Sequence, residues 1–374
     1  MPDPAQELLL DASGAVLEVA SESIRIERDI AMPGLSSFSR CVAGMLLAGV
    51  AASAAAEPSF VPVFTDNFPD PHIVEHQGEF VAYATNAGIN LPMLTSRDLV
   101  HWTPVTRPDD RKKRLDGMPE LAPWVKEGFT WAPEVMKVGG KWLLYYTANH
   151  RKRDVQCLGV AVADNPKGPF RDGSAEPMVC QFDLGGTIDA NPFRDSDGKL
   201  YLYYKSDGNR VGKKTVIWGQ RLSDDGLSVA GAPVALVEDD QKWEWKLVEA
   251  PTMVRSPAGH QLFYSAAFYG WDPNERLSRY ATGYATCAGP LGPCKDAPEN
   301  PILNSFNDKQ AGCLSGPGHT SIFQARGRHF IAFHAWAATK GCRKSDDKRF
   351  LYVAPLFWKD GKPQIAPSLR AKLD

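Results

Sequence analysis

From Glu57 onward, apolar residues recur at every second position or gather in short β-branched and aromatic runs, and Gly, Pro, Asn and Asp separate those runs. This pattern predicts strands and no convincing helix. One unit repeats along the chain: "FPDPHIVEHQGEFVAYATN", "TWAPEVMKVGGKWLLYYTAN", "IDANPFRDSDGKLYLYYKSDG", "VEAPTMVRSPAGHQLFYSAA" and "GPGHTSIFQARGRHFIAFHAW". Each copy opens with a polar residue or Trp shortly before a proline (Gly-His in the last), runs as a strand, turns at a glycine and returns as an aromatic-rich strand. The turn glycines Gly78, Gly140, Gly198, Gly259 and Gly327 lie roughly 60 residues apart, room for four strands and long loops. Five copies predict an all-β, five-bladed β-propeller, since radial repetition closes many antiparallel hairpins with few exposed edges. A two-sheet sandwich is the alternative, but it requires no self-similar period.

In a propeller the innermost strand of every blade lines a central channel, so equivalent residues near the strand starts converge although they are far apart in sequence. The repeat places Asp70, Trp131, Asp189, Glu249 and His319 there. Two carboxyl groups facing each other across a small pocket can hydrolyse a glycosidic bond, one protonating the leaving oxygen and the other deprotonating a water. A third carboxylate near the acid raises its pKa by like-charge repulsion. Taken singly, Asp-Pro is a turn former, Trp a core residue and His a hydrogen-bonded one; recurrence at equivalent places is what points to chemistry.

Asp70 in "FPDPHIV", Asp189 in "IDANPF" and Glu249 in "VEAPTM", with "WAPEV" and "GPGH", closely resemble family 43 of the glycoside hydrolases, over about Val61 to Ala366. The resemblance implies a five-bladed propeller that hydrolyses arabinans, arabinoxylans or xylo-oligosaccharides with inversion. It implies Asp70 as general base, Glu249 as general acid, and Asp189 as the residue that tunes and orients the acid. It further implies substrate contacts from Trp131, His319 and Arg349, the last near the acid, and a structural calcium or sodium ion in the channel held directly or indirectly by His319. The expectation is an exo-α-L-arabinofuranosidase acting on arabinan or arabino-oligosaccharides. Endo-1,5-α-L-arabinanase and β-xylosidase are alternatives in the family, and a non-catalytic glycan-binding propeller is one of another class. The lean to exo action rests on stapled loops such as "TCAGPLGPCKDAPENP" walling the cleft.

Composition narrows the reading. Of 374 residues, 43% are apolar and 10% aromatic, enough for a large core, and the formal net charge of -2 supplies no basic field for nucleic acid or anionic lipid. Ten Trp and eleven Tyr suit sugar stacking as well as core filling. "KVGGKW" and "DLGGTID" carry no phosphate-binding motif, and no G-x-S-x-G elbow is present. "RPDDRKKRLDG" alternates basic and acidic residues and reads as a solvated loop between the first two blades.

The N-terminal part reads differently. Arg40 precedes an apolar run from Cys41 to about Ala52, closed by Ala54-Ala55-Ala56, which predicts a secretory signal over residues 32–56 with the biological start at Met32 and residues 1–31 as an upstream extension. The run is well short of the ~20 residues of a membrane span. The expected location is secreted or periplasmic, the expected partner a plant cell-wall glycan, and residues 57–374 form the catalytic propeller. Once Cys41 leaves, six cysteines remain, an even set suited to an oxidising compartment. Of fifteen pairings, spacing favours Cys287 with Cys294, Cys157 with Cys180, and Cys313 with Cys342, and no C-x-x-C spacing suggests zinc.

Overall fold

A computed structural model describes residues 60–271, 275–309, 311–339, 342–367 and Leu369. The expected signal and the residues before it lie outside the described residues. Among them there are twenty-one strands, three short 3-10 turns and no α-helix. Four four-stranded antiparallel sheets and one three-stranded sheet are the blades. The first holds β1 (His72–His76), β2 (Glu79–Tyr83), β3 (Met93–Ser96) and β4 (Thr103–Pro104), and the second β5 (Trp131–Val138), β6 (Lys141–Asn149) and β7 (Gln156–Ala163). The third comprises β8 (Thr187–Arg194), β9 (Leu200–Ser206), β10 (Val216–Leu222) and β11 (Val229–Glu238); the fourth, β12 (Val248–Ser256), β13 (Gly259–Ala266), β14 (Ala281–Cys287) and β15 (Cys294–Asp296). A small hairpin, β16 (Phe306–Asp308) and β17 (Gly312–Leu314), precedes the fifth blade of β18 (Gly318–Ala325), β19 (Arg328–Thr339), β20 (Arg343–Lys359) and β21 (Lys362–Ile365).

The first strands form the ring: β1 touches β5, β5 touches β8, β8 touches β12, β12 touches β18, and β18 returns to β1. Closure is reinforced by the segment before β1, where the Val63 N–H donates to the Leu351 carbonyl (2.8 Å) and the Phe68 N–H to the Arg349 carbonyl (2.8 Å). Each β-hairpin turn that ends an inner strand uses the predicted glycine. At Gly140 φ is +87°, a left-handed conformation that any side chain would strain.

The second strands explain why their sequences read as unbroken apolar runs. Alternate side chains leave opposite faces, and both faces are covered by a neighbouring blade. Val81 and Tyr83 join Leu144 and Tyr146 between blades one and two, whereas Leu143 and Tyr145 join Leu200, Leu202 and Tyr204 between two and three. Tyr201 and Tyr203 meet Leu262 and Tyr264 at the next junction, Phe263 meets Ile331 and Phe333 at the fourth, and Phe330 and Ala332 meet Phe80 and Ala82 at the fifth. Five wedge-shaped cores hold the wheel together, each fully buried aromatic contributing ~1.5–3 kcal/mol by leaving water.

The three expected disulfides are present: Cys157–Cys180, Cys287–Cys294 and Cys313–Cys342. One expectation fails. Cys287 pairs with His260, next to the Gly259 turn, so the Cys287–Cys294 staple lies at the end of the wheel opposite the starts of the inner strands. The strand direction of β14 carries that loop away from the cleft, which it therefore does not wall.

Candidate active site

The inner strands share one defect. Pairing with the second strand slips between Trp131 and Glu134, Ile188 and Asn191, Glu249 and Thr252, and Gly318 and Ser321. Within each slip one residue adopts a left-handed conformation: Ala132 (φ +43°), Asp189 (+59°), Ala250 (+52°) and His319 (+49°). Asp70 (+54°) holds the matching place just ahead of β1. Such bulges re-aim side chains near functional sites, and a left-handed non-glycine residue costs ~1–3 kcal/mol. The expected single ring of equivalent residues is thereby corrected to two tiers. Asp70, Asp189 and His319 are the left-handed residues, and Trp131 and Glu249 each stand one residue earlier. Alignment on proline hid this, because Pro71, Pro133 and Pro251 directly follow the left-handed residue while Pro192 comes three later.

Each left-handed residue leaves one backbone N–H outside the ladder. At four junctions the preceding blade's second strand, or the residues just after it, supplies an acceptor. Thr85 Oγ1 takes the Ala132 N–H (2.9 Å), Thr147 Oγ1 that of Asp189 (3.0 Å), Ser265 Oγ that of His319 (2.8 Å), and His334 Nδ1 that of Asp70 (3.1 Å). The corresponding residue of the third blade is Lys205, which pairs with Ile188 as Thr147 pairs with Trp131. An ammonium cannot accept. Asp189 Oδ2 takes the Ala250 N–H instead (2.9 Å), and Lys205 Nζ turns to Glu249 Oε2 (3.1 Å) and Asp207 Oδ1 (3.4 Å).

A cavity of about 210 Å³ opens among these residues, lined by Asp70, Trp131, Asp189, Glu249, His319 and Arg349 together with Thr85, Ile188, Tyr269 and Tyr280. All six residues singled out from the sequence therefore meet in one pocket. It is smaller than the roughly 300–1,000 Å³ of sites for drug-sized ligands, a size suited to about one sugar ring.

The carboxyl groups sit in opposite electrostatic settings. Burial alone would raise Asp70, but the Arg349 guanidinium (Nη1 to Oδ1, 2.9 Å) and His319 (Nδ1 to Oδ1, 3.4 Å) overcome it and hold the carboxyl well below its ordinary range. Thr85 also donates to Asp70 Oδ2. His334, fully buried and beside Arg349, is pushed down to about 3 and is neutral. Asp189 goes the other way. Burial raises it, His319 and Lys205 oppose, the Glu249 and Asp70 charges add, and the carboxyl reaches about 7. Glu249 accepts at both oxygens, from Lys205 and from the Tyr280 hydroxyl (2.8 Å to Oε1). Burial, then the Glu249, Asp189 and Asp70 charges, keep that phenol protonated far above its usual value.

Arg349 is in the pocket, but on Asp70 rather than near Glu249 as expected. Its guanidinium also lies 5.1 Å from the Tyr269 ring centroid and 6.0 Å from that of Trp336. Lys205, Tyr280, Tyr269 and His334 escaped the sequence reading. Only Lys205 left a signal, a cation inside "LYLYYKS", a strand buried at every position. Among the described residues no three His, Cys, Asp or Glu side chains gather as a metal-ligand cluster.

The model for glycosyl hydrolases family 43 matches residues 61–363. The chain belongs to that family. Similar curated proteins include an extracellular endo-α-(1→5)-L-arabinanase of Bacillus subtilis, 24% identical over 82% of this chain and 72% of the relative. An extracellular exo-α-(1→5)-L-arabinofuranosidase of Cellvibrio japonicus is also 24% identical, over 79% and 85%. A β-xylosidase of Bacillus subtilis is 27% identical over 84% of this chain but only 58% of its own length. Among solved structures, a thermostable family-43 glycoside hydrolase superposes with a TM-score of 0.70 at 27% identity, covering 84% of this chain and 98% of that one.

Proposed function

We propose that this family-43 hydrolase releases terminal α-L-arabinofuranosyl residues from arabinan or arabino-oligosaccharides by single displacement. The observation that carries the reading is the opposed setting of the carboxyl groups across one sugar-sized pocket. Asp70, clamped by Arg349, stays ionised and serves as the base for the attacking water. Asp189, raised to about 7 by burial and by the Glu249 and Asp70 charges, tunes and orients the acid. Glu249, in its carboxylic acid form, gives its own proton to the leaving oxygen and is left as the carboxylate, with Lys205 and Tyr280 fixing its orientation. The expected separation of the Asp70 and Glu249 carboxyls is about 6.5–9.5 Å, leaving room for a water. Trp131, His319 and Arg349 contact the sugar. A calcium or sodium ion in the central channel, which His319 would help hold directly or indirectly, belongs to the same proposal. Three disulfides and relatives described as extracellular support a secreted or periplasmic enzyme.

Endo action is the second reading, because the Cys287–Cys294 staple lies at the other end of the wheel and does not supply the wall expected of an exo pocket. Product sizing on linear 1,5-arabinan, with wild type beside Glu249→Ala, decides. Arabinose from wild type alone supports exo release. Short oligomers transfer the mechanism to an endo-arabinanase. No product from arabinan or from xylo-oligosaccharides refutes hydrolysis and promotes the glycan-binding reading.

A further inference from the structure

Trp is rarely left in water, yet Trp245 is 59% exposed. It stands on strained backbone: Trp245 and Lys246 are consecutive left-handed residues, φ +50° and +63°, a rare setting for bulky side chains that clusters at ligand clamps. The loop beneath is pinned rather than loose. Glu244, fully buried, accepts from the Gln241 N–H (2.7 Å) and the Tyr264 hydroxyl (2.8 Å), and its carbonyl accepts from the Leu247 and Ala267 N–H groups. One face of the indole is backed by the Arg279 guanidinium, 3.5 Å from the ring centroid, and Glu275 holds that guanidinium by two oxygens. Orientation and loop are thus set before any ligand arrives, which lowers the entropy lost on binding.

Trp245 also lines a groove of about 440 Å³ with Trp243, Pro298, Gln241 and Lys242. Trp243 is seated firmly, since a Cβ on Gly283 would stand 2.6 Å from its ring. Aromatic faces with an amide and an ammonium at the rim suit a neutral, hydroxyl-rich ligand with an apolar C–H face.

Two chain segments join this groove to the acid. Trp245 precedes Glu249 by four residues, at most about 14 Å of extended chain, and Arg279, which backs Trp245, adjoins Tyr280, which holds Glu249. The acid donates to the leaving group, so whatever lies on this side of Glu249 belongs to the departing part of the substrate. We infer that Trp245, backed by Arg279, is a stacking platform for the glycan chain on the leaving-group side of the scissile bond, a neutral pentosan continuing beyond the pocket. The inference rests on the proposed hydrolysis for its polarity and on the groove's own geometry for its existence.

Two measurements separate those elements. In the first, KM is compared for linear arabinan and for a small aryl α-L-arabinofuranoside, using wild type, Trp245→Ala and Trp245→Phe. The ratio of KM on the polymer to KM on the aryl substrate rises about tenfold in Trp245→Ala, and Trp245→Phe, which keeps a ring, recovers most of it. An unchanged ratio, or equal losses on both substrates, overturns the platform. In the second, Glu249→Gln and Glu249→Gln/Trp245→Ala are run through native gels containing linear arabinan, arabinoxylan or no glycan. Retardation of the first protein by a pentosan, relieved in the second, supports the platform even if wild type hydrolyses nothing. Equal mobility of the two proteins in every gel refutes it, whatever the activity.

Discussion

Four of the five blade junctions and the junction between blades three and four solve the same backbone problem with different chemistry. At the four, a hydroxyl or a neutral imidazole accepts the N–H that a left-handed inner residue leaves over: Thr85, Thr147, Ser265 and His334. At the fifth, Lys205 occupies that place, 1% exposed, and donates to Glu249. The orphan N–H of Ala250 passes to Asp189. The wheel therefore tolerates a buried charge at one spoke because two carboxyl groups absorb the consequences, and those two are the acid pair of the proposed mechanism. A repeat supplies the scaffold, and a single departure from it couples Lys205, Asp189 and Glu249.

The largest test removes the chemistry itself. Glu249→Gln and Asp70→Asn lower kcat by about 10²–10⁴-fold, the range for a lost general acid or base, with thermal unfolding still cooperative; retention of more than a tenth of wild-type kcat by either would refute its role. Lys205→Met comes next. It leaves Glu249 and Asp207 facing an apolar group and costs about 3–5 kcal/mol of stability. Denaturant titration checks this. The same variant shifts activity in a defined direction. Lys205 pulls the Asp189 pKa down, so its removal moves the basic limb of kcat/KM upward from about pH 7. A limb that stays put or moves down would show Lys205 to be structural only.

Wild type supplies a related expectation. Asp189 is raised to about 7, so its contribution to stability is full below the ordinary carboxylate value and declines as pH rises through about 7, in step with the basic limb. Asp70 is depressed, so its contribution is present above the ordinary carboxylate value and is lost as pH falls through its lowered one. The smallest effect belongs to the ordinary spokes. Thr147→Val orphans the Asp189 N–H and costs about 1–3 kcal/mol, which Thr147→Ser restores. A shift of the basic limb as large as that of Lys205→Met would erase the distinction between the junctions.

Much of this was legible in the sequence. Five turn glycines and the doubly apolar second strands reveal the number of blades, because a strand buried on both faces must alternate between two neighbouring cores. The three carboxyl groups were visible because the repeat phases them together. Their tier was not, since proline follows the left-handed residue at one distance in Asp70-Pro71 and at another between Asp189 and Pro192. Tyr280 was invisible because it belongs to a loop outside the repeat, whereas Lys205 showed only as an irregular cation in a buried strand until the neighbouring blade brings Glu249 to it. The Cys287–Cys294 spacing was read correctly, but its place at the far end of the wheel depends on strand direction, which spacing does not carry.

The measurement closest to the central claim is the anomeric form of the first sugar released from an α-L-arabinofuranoside, followed by proton NMR before mutarotation. Asp70 acting on water and Glu249 on the leaving oxygen predict the β-anomer. Initial formation of the α-anomer would require a covalent intermediate and would contradict the assignment of Asp70 as a base.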